Sequence, residues 1–170
     1  RPFAGAWIET RSATTSVSDT IDVTTVSITG SSTVTEGVTA SYTVSLTSPA
    51  QTAVSVNLTY SGTAADGSDY TGVASVTIPA GASSASFNVA TLQDVIGEGA
   101  ENFTVTIASA AGGNFESLVI SGTNGAQTTS VTDDDTPTIA VSSPTVGEGG
   151  FAVFTVSLSN AIGEAVTVDF

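Results

Sequence analysis

The sequence predicts an all-β chain folded as an antiparallel β-sandwich of Greek-key type, and three observations carry that prediction. Apolar residues alternate with Ser and Thr at period two in run after run. Turn residues fall between the runs at short intervals. Helix signals are almost absent, which leaves sheet on sheet as the architecture.

The runs follow one another along the chain. In Ser41-Tyr42-Thr43-Val44-Ser45-Leu46, the residues Tyr42, Val44 and Leu46 share one face. The alternation recurs at Val54, Val56, Leu58 and Tyr60, then at Val76 and Ile78, at Phe87 and Val89, and at Phe103, Val105 and Ile107. These positions form the candidate core, and the outward Ser and Thr suit a pleated surface. Ser48-Pro49, Asp66-Gly67, Pro79-Ala80-Gly81, Gly112-Gly113-Asn114 and Asn124-Gly125 supply the turns. Roughly seven short strands at this spacing make a two-sheet sandwich.

Composition narrows the function. The chain has 170 residues, 40% of them hydrophobic, enough for one domain with a real core and part of another. It carries 16 Asp and Glu against 2 Lys and Arg, a formal net charge of −14. Such a polyanion repels nucleic-acid phosphates and anionic membranes and attracts cations. Cysteine is absent, so disulfides and thiolate metal sites are excluded and a bound ion is the available staple. His, Lys and Met are absent too, which removes the usual general base and Schiff-base nucleophile. Catalysis would rest on carboxylate pairs alone and need an aromatic-lined cleft, yet the single Trp is Trp7 in an unmatched terminal segment. The chain reads as a non-enzyme. No apolar run reaches the length of a membrane span, and no start methionine or signal peptide is present, so it also reads as an internal fragment or a processed piece.

An internal repeat organises the chain. Val34-Thr-Glu36-Gly37, Tyr42-Thr-Val-Ser-Leu46 and Ala53-Val54-Ser-Val56 return as Val146-Gly-Glu148-Gly149, Phe154-Thr-Val-Ser-Leu158 and Ala165-Val166-Thr-Val168. The offset is 112 residues throughout, as between Val34 and Val146 or Ala53 and Ala165. Further back, Thr14-Thr-Ser-Val17 mirrors Thr128-Thr-Ser-Val131 at an offset of 114, so the linkers differ by two residues. A repeat one sandwich long marks an array of domains in series. The expected division is 1–22 as an unmatched N-terminal segment plus the tail of a preceding repeat, 23–135 as one complete repeat, and 136–170 as the truncated start of the next. Residues 136–170 carry Phe151, Phe154, Val156, Leu158 and Val168 on three expected strands, too few to bury a two-sheet core, so this part is expected to be mobile or to seek a partner edge.

The acids of the complete repeat gather in loops. Glu36 lies in a turn between strands, Asp66 and Asp69 in a second loop, Asp94, Glu98 and Glu101 in a third, and Asp133-Asp134-Asp135 closes the repeat. Alternate loops of a sandwich emerge at one end, so these carboxylates can converge. Two carboxylates about 4 Å apart repel by roughly 4 kcal/mol at an effective dielectric near 20. Either some hold protons or cations sit among them. An oxygen-only ligand set selects calcium or magnesium, and a flexible loop-built site favours calcium, which accepts more oxygens.

Glu36-Gly37, Gly62-Thr63-Ala64 with Gly67-Ser-Asp69-Tyr70, Val76-Thr-Ile78-Pro79-Ala-Gly81, the run Asp94 to Phe103 and Asp133-Asp134-Asp135 occur in the order and spacing of the Calx-beta domain, which this sequence resembles. That family supplies the calcium-binding module of sodium–calcium exchangers and integrin β4, and is repeated in large bacterial surface adhesins. The resemblance spans nearly all of 23–135 and part of 136–170. It implies an immunoglobulin-like sandwich with Ca2+ at one tip, held by Glu36, Asp69, Asp94, Glu98, Glu101, Asp133, Asp134 and Asp135. Gln93 stands where the family often has a further Asp, which implies fewer ions or weaker binding. Asp66 falls outside the motif, and Glu148 is the counterpart of Glu36 in the next copy.

The expected role is a calcium-binding spacer of an extracellular or cell-surface repeat adhesin, with the ion stiffening the joint between repeats. Its partners would be calcium ions, neighbouring repeats and a cell-surface or matrix ligand, with no nucleic acid and no membrane insertion. Two alternatives stand beside it: a module whose loops bind a glycan or protein directly, and a filament subunit completed by strand exchange through 136–170.

Overall fold

The alternation around Tyr42 becomes strand β3 (Thr39–Leu46), which pairs antiparallel with β1 (Val23–Gly30) and with β7 (Ser84–Thr91). In this computed structural model, residues 20–169 and Ser16 are described. Trp7, the segment 1–11 and, Ser16 apart, the Thr14–Val17 echo of the repeat lie outside the described residues. Two short edge strands, β5 (Tyr70–Thr71) and β9 (Ser117–Ile120), complete a sheet of order β5-β7-β3-β1-β9. The second sheet has the order β2-β10-β8-β4-β6, from β2 (Thr33–Thr35), β10 (Ala126–Thr132), β8 (Glu101–Gly112), β4 (Val54–Gly62) and β6 (Ser75–Ile78). All regular structure among the described residues is β, and no helix is long and apolar enough to cross a membrane.

The two sheets hold ten strands against the roughly seven expected, and β1, β2, β5, β9 and β10 lie outside the alternating runs; three of these are only two to four residues long. Two of them join their neighbours in parallel, β9 along β1 and β2 along β10. The fold is nevertheless the expected sandwich. Its core interleaves the inward faces of both sheets, with Val26, Ile28, Tyr42 and Val44 from one and Val54, Val56, Phe103 and Val105 from the other, each almost fully buried. Burying side chains of this size is worth about 1.5–3 kcal/mol apiece. The polar tip of Tyr42 is satisfied inside: it bonds the Thr129 hydroxyl, which in turn donates to the Ser31 carbonyl at 2.6 Å.

One irregularity shapes the second sheet. The β4–β8 register shifts at Asn57/Leu58, so Ala108 stands unpaired between Ile107 and Ser109. Such a bulge lets Phe103, Val105 and Ile107 face inward and then hands the inward side to Ala110. Gly62 ends β4 at a φ of 142°, and a Cβ there would lie 2.2 Å from the Asn102 carbonyl. Only glycine admits this crossing, which seats β4 against the start of β8.

Residues beyond Asp135 form a separate two-stranded ladder, β11 (Ile139–Val141) with β12 (Val156–Leu158). Val166 and Val168, where a third strand was expected, are not in a strand. The large apolar residues described in this part are open to solvent except Ile162, with Phe151 at 95% and Phe154 at 63%.

Candidate metal centre

Backbone register brings the acids together. The parallel β2–β10 pairing sets Thr35 against Thr132, so the next residues along, Glu36 and Asp133, emerge side by side. The Glu36 N–H donates to the Thr132 carbonyl at 3.0 Å and continues the ladder. Thr91, buried at the end of β7, donates from its hydroxyl to the Val38 carbonyl at 2.6 Å and pins the Glu36 turn to the first sheet. On the other side, the rings of Tyr70 and Phe103 stack with centroids 4.5 Å apart. Asp69 and Glu101 flank these rings in sequence, and the stack draws their carboxylates to one place.

Two groups result. Glu36, Asp133, Asp134 and Asp135 each present a carboxylate oxygen within 4.8 Å of the others, and Asp69, Glu98 and Glu101 do the same. A cleft lined by Glu36, Asp69, Glu98, Glu101 and Asp133 joins them. Backbone donors fix the geometry. Glu36 accepts from the Asp94 N–H at 2.6 Å, Asp133 accepts from the N–H groups of Glu98 at 2.8 Å and Asp135 at 3.0 Å, and Asp69 accepts from the Ala65 N–H at 2.5 Å.

Most of the shifted carboxylates are pushed towards protonation. Desolvation raises the pKa of Glu36, opposed by the Asp94 N–H and reinforced by the charges of Asp94, Asp133 and Asp135. Glu98, Glu101 and Asp135 are raised as well, by desolvation first and then by carboxylate neighbours. Asp133 is lowered, chiefly by the Asp135 N–H it accepts. Oδ2 of Asp135 is buried with no hydrogen-bond partner. The only arginines are Arg1 and Arg11, so no cationic side chain stands among the described residues to balance these charges. An oxygen-only set with an orphaned buried acceptor fits a hard divalent cation.

Seven of the eight expected ligands fall in the two groups. Asp94, the eighth, sits beside Glu36, and its Oδ1 accepts the Ile96 N–H at 2.7 Å. Gln93 donates from Nε2 to Oδ1 of Asp134 at 3.0 Å, an amide holding a carboxylate where the family often places another acid. Asp66 accepts the Gly72 N–H at 2.9 Å and stands outside both groups. Sequence reasoning missed Glu164, which lines a cleft with Glu98, Gly99 and Glu101. The repeat offset maps Glu164 onto Thr52, so no pattern in the complete copy announced it. Glu116 was also passed over; it accepts the Asp22 N–H at 2.8 Å in a different cleft.

A family model described as LapA domain matches residues 22–134. Among solved structures, the crystal structure of the apo-form Calx CBD1 domain is similar at a TM-score of 0.57 and 22% identity, over 66% of this chain and 98% of that one. CBD12 from CALX1.2 gives 0.56 and 22%, over 65% and 46%, and the calcium binding domain CBD12 of CALX1.1 gives 0.53 and 24%, over 62% and 42%. The chain thus spans under half the length of either CBD12 structure. No curated protein matches the sequence. The Calx-beta resemblance therefore holds as a likeness of fold, and the family matched by sequence is a different one.

Proposed function

The chain belongs to the LapA domain family, and from that premise we propose that it is a non-catalytic, calcium-binding spacer of an extracellular repeat adhesin. The observation that carries this reading is the meeting of the outgoing linker with the sandwich: Asp133, Asp134 and Asp135, which lead into Pro137, share a carboxylate group with Glu36. Glu36, Asp69, Asp94, Glu98, Glu101, Asp133, Asp134 and Asp135 would hold the ion. Calcium, when bound, supplies the positive charge that the cluster lacks and six to eight coordination positions for its oxygens. The protein's part is to present acids from the turn after β2, the loops before β5 and β8, and the linker after β10. Ligation then ties the linker to the domain tip, and Pro137 stiffens the chain leading into the next repeat. Residues 23–135 act as one repeat and 136–170 as the start of another. The sequence resemblance to repeats of bacterial surface adhesins supports the extracellular setting.

Ligation free energy is part of folding free energy, so the test is thermal. Calcium at about a hundred times its Kd should stabilise the chain by roughly 2.7 kcal/mol over chelator-treated protein. Superimposable melting curves would discard the reading. The exposed residues Phe151 and Phe154 favour a second one, a filament subunit completed by strand exchange. Concentration-dependent polymerisation that is lost on deleting 136–170 would select it.

A further inference from the structure

The loop from Asp94 to Glu101 does more than carry acids. Its apex, Gly97, is buried and bridges to Ile162 in the segment beyond the sandwich. The Gly97 N–H donates to the Ala161 carbonyl at 3.0 Å, and the Gly163 N–H donates to the Gly97 carbonyl at 3.0 Å. A Cβ on Gly97 would lie 2.5 Å from Cγ of Pro137 and 2.7 Å from Cδ. Glycine is needed here for space, because the linker crosses directly over the apex. One residue on, the Glu98 N–H holds Asp133, and the Glu98 side chain passes beside Gly163.

The repeat gives this contact a direction. At the offset of 112, Ala161–Glu164 corresponds to Pro49–Thr52 of the complete copy. That turn lies beside Asp22, Asn114 and Glu116, at the end where the chain enters the sandwich. The complete copy therefore has the carboxylate loop where the chain leaves it and the matching turn where the chain comes in, the arrangement of a head-to-tail contact.

We propose that the Asp94–Glu101 loop is a socket for the Ala161–Glu164 turn of the next segment, so that seating the turn and loading the carboxylate cluster favour each other. The inference rests on the calcium reading above and names the partner through which that site acts. Its physical basis is short: Asp94, Glu98 and Glu101 are within four residues of Gly97, so one loop conformation must serve both the cluster and the bridge. Coupling of this kind is reciprocal in binding free energy.

The test uses the full chain, calcium alone as titrant, and the variant Gly163→Pro, which removes one bridge donor and alters no carboxylate. Calorimetry should find about five- to tenfold weaker calcium binding with unchanged stoichiometry, the lower end of common coupling strengths. Amide exchange on the unaltered chain gives an independent measure: calcium should slow exchange at Gly97 and Gly163 at least about fivefold. Binding by Gly163→Pro within about twofold of the parent, or exchange at Gly163 indifferent to calcium, overturns the coupling and leaves the calcium site standing. Absence of any calcium heat from the unaltered chain overturns both.

Discussion

The ladder β1–β3 and the ladder β11–β12 use nearly the same residues in the same register and end in opposite environments. In the first, Val26 faces Leu46 and Ile28 faces Val44. In the second, Ile139 faces Leu158 and Val141 faces Val156. The first four are at most 6% exposed, and the second four are 39–57% exposed. Pairing register is written in the local alternation and needs no more than two strands. Burial is not local, because it requires the facing sheet of β4, β8 and β10. The second ladder has the instructions for a core and nothing to form it against.

Matched substitutions should break the likeness most sharply. Leu46 and Leu158 are the same residue at the same ladder position. Leu46→Ala removes a side chain packed between the sheets and should destabilise the sandwich by about 2–5 kcal/mol. Leu158→Ala should stay within about 0.5 kcal/mol, the usual range for surface changes. Chemical denaturation followed by tyrosine fluorescence reads the difference, since Tyr42, Tyr60 and Tyr70 all report on the complete copy. Equal losses at the two positions would mean that the second ladder is packed in solution.

The contrast between the ladders also explains what could be read from the sequence and what could not. Strand faces around Tyr42, Val56 and Phe103 were legible because period-two alternation is a local signal that core burial merely enforces. The edge strands β2 and β5 were not, since two or three residues carry no period, nor was β9, whose Leu118-Val119-Ile120 run does not alternate. The clustering of Glu36 with Asp133 was anticipated only as loops sharing an end; the cause is the parallel β2–β10 register, which alternation does not encode. The bridge between Gly97 and Ile162 was invisible for another reason. It joins two backbones, and a glycine apex in a loop looks the same whether it meets solvent or a proline.

The second matched pair concerns charge. Glu36 and Glu148 occupy equivalent places in the repeat, but Glu36 is buried among Asp133, Asp134 and Asp135, whereas Glu148 is exposed and belongs to neither carboxylate group. Glu36→Gln should weaken calcium binding by about tenfold or more, as loss of even an outer support commonly does. Glu148→Gln should leave the titration unchanged. A comparable loss from Glu148→Gln would place the ion in the second copy.

The smallest expected effect separates the two regions by pH. Residues of the β11–β12 ladder carry no titratable side chain, while the tip of the complete copy gathers carboxylates whose pKa values the fold has moved. Glu36, Glu98 and Glu101 are raised above 4.5 and Asp135 above 3.8, so over the interval from those values upward the folded chain holds more protons than the unfolded one. Their contribution is complete below that interval and is lost as pH climbs through it. Asp133, lowered from 3.8, works in the opposite sense, adding stability above that value and losing it as pH falls through its folded pKa. Above about 4.5 Asp133 is largely ionised in both states and its contribution is constant, so over that window the raised groups alone set the slope. In chelator, Tm should therefore fall as pH rises from about 4.5 towards neutrality, the reverse of ordinary acid denaturation. Calcium should flatten the slope, because a divalent charge replaces the protons as the counter-charge. Binding of a hydrophobic dye to the open ladder should stay level across the same range, since neither of its strands titrates. A Tm in chelator that rises with pH would show that the tip carboxylates are solvated and apart.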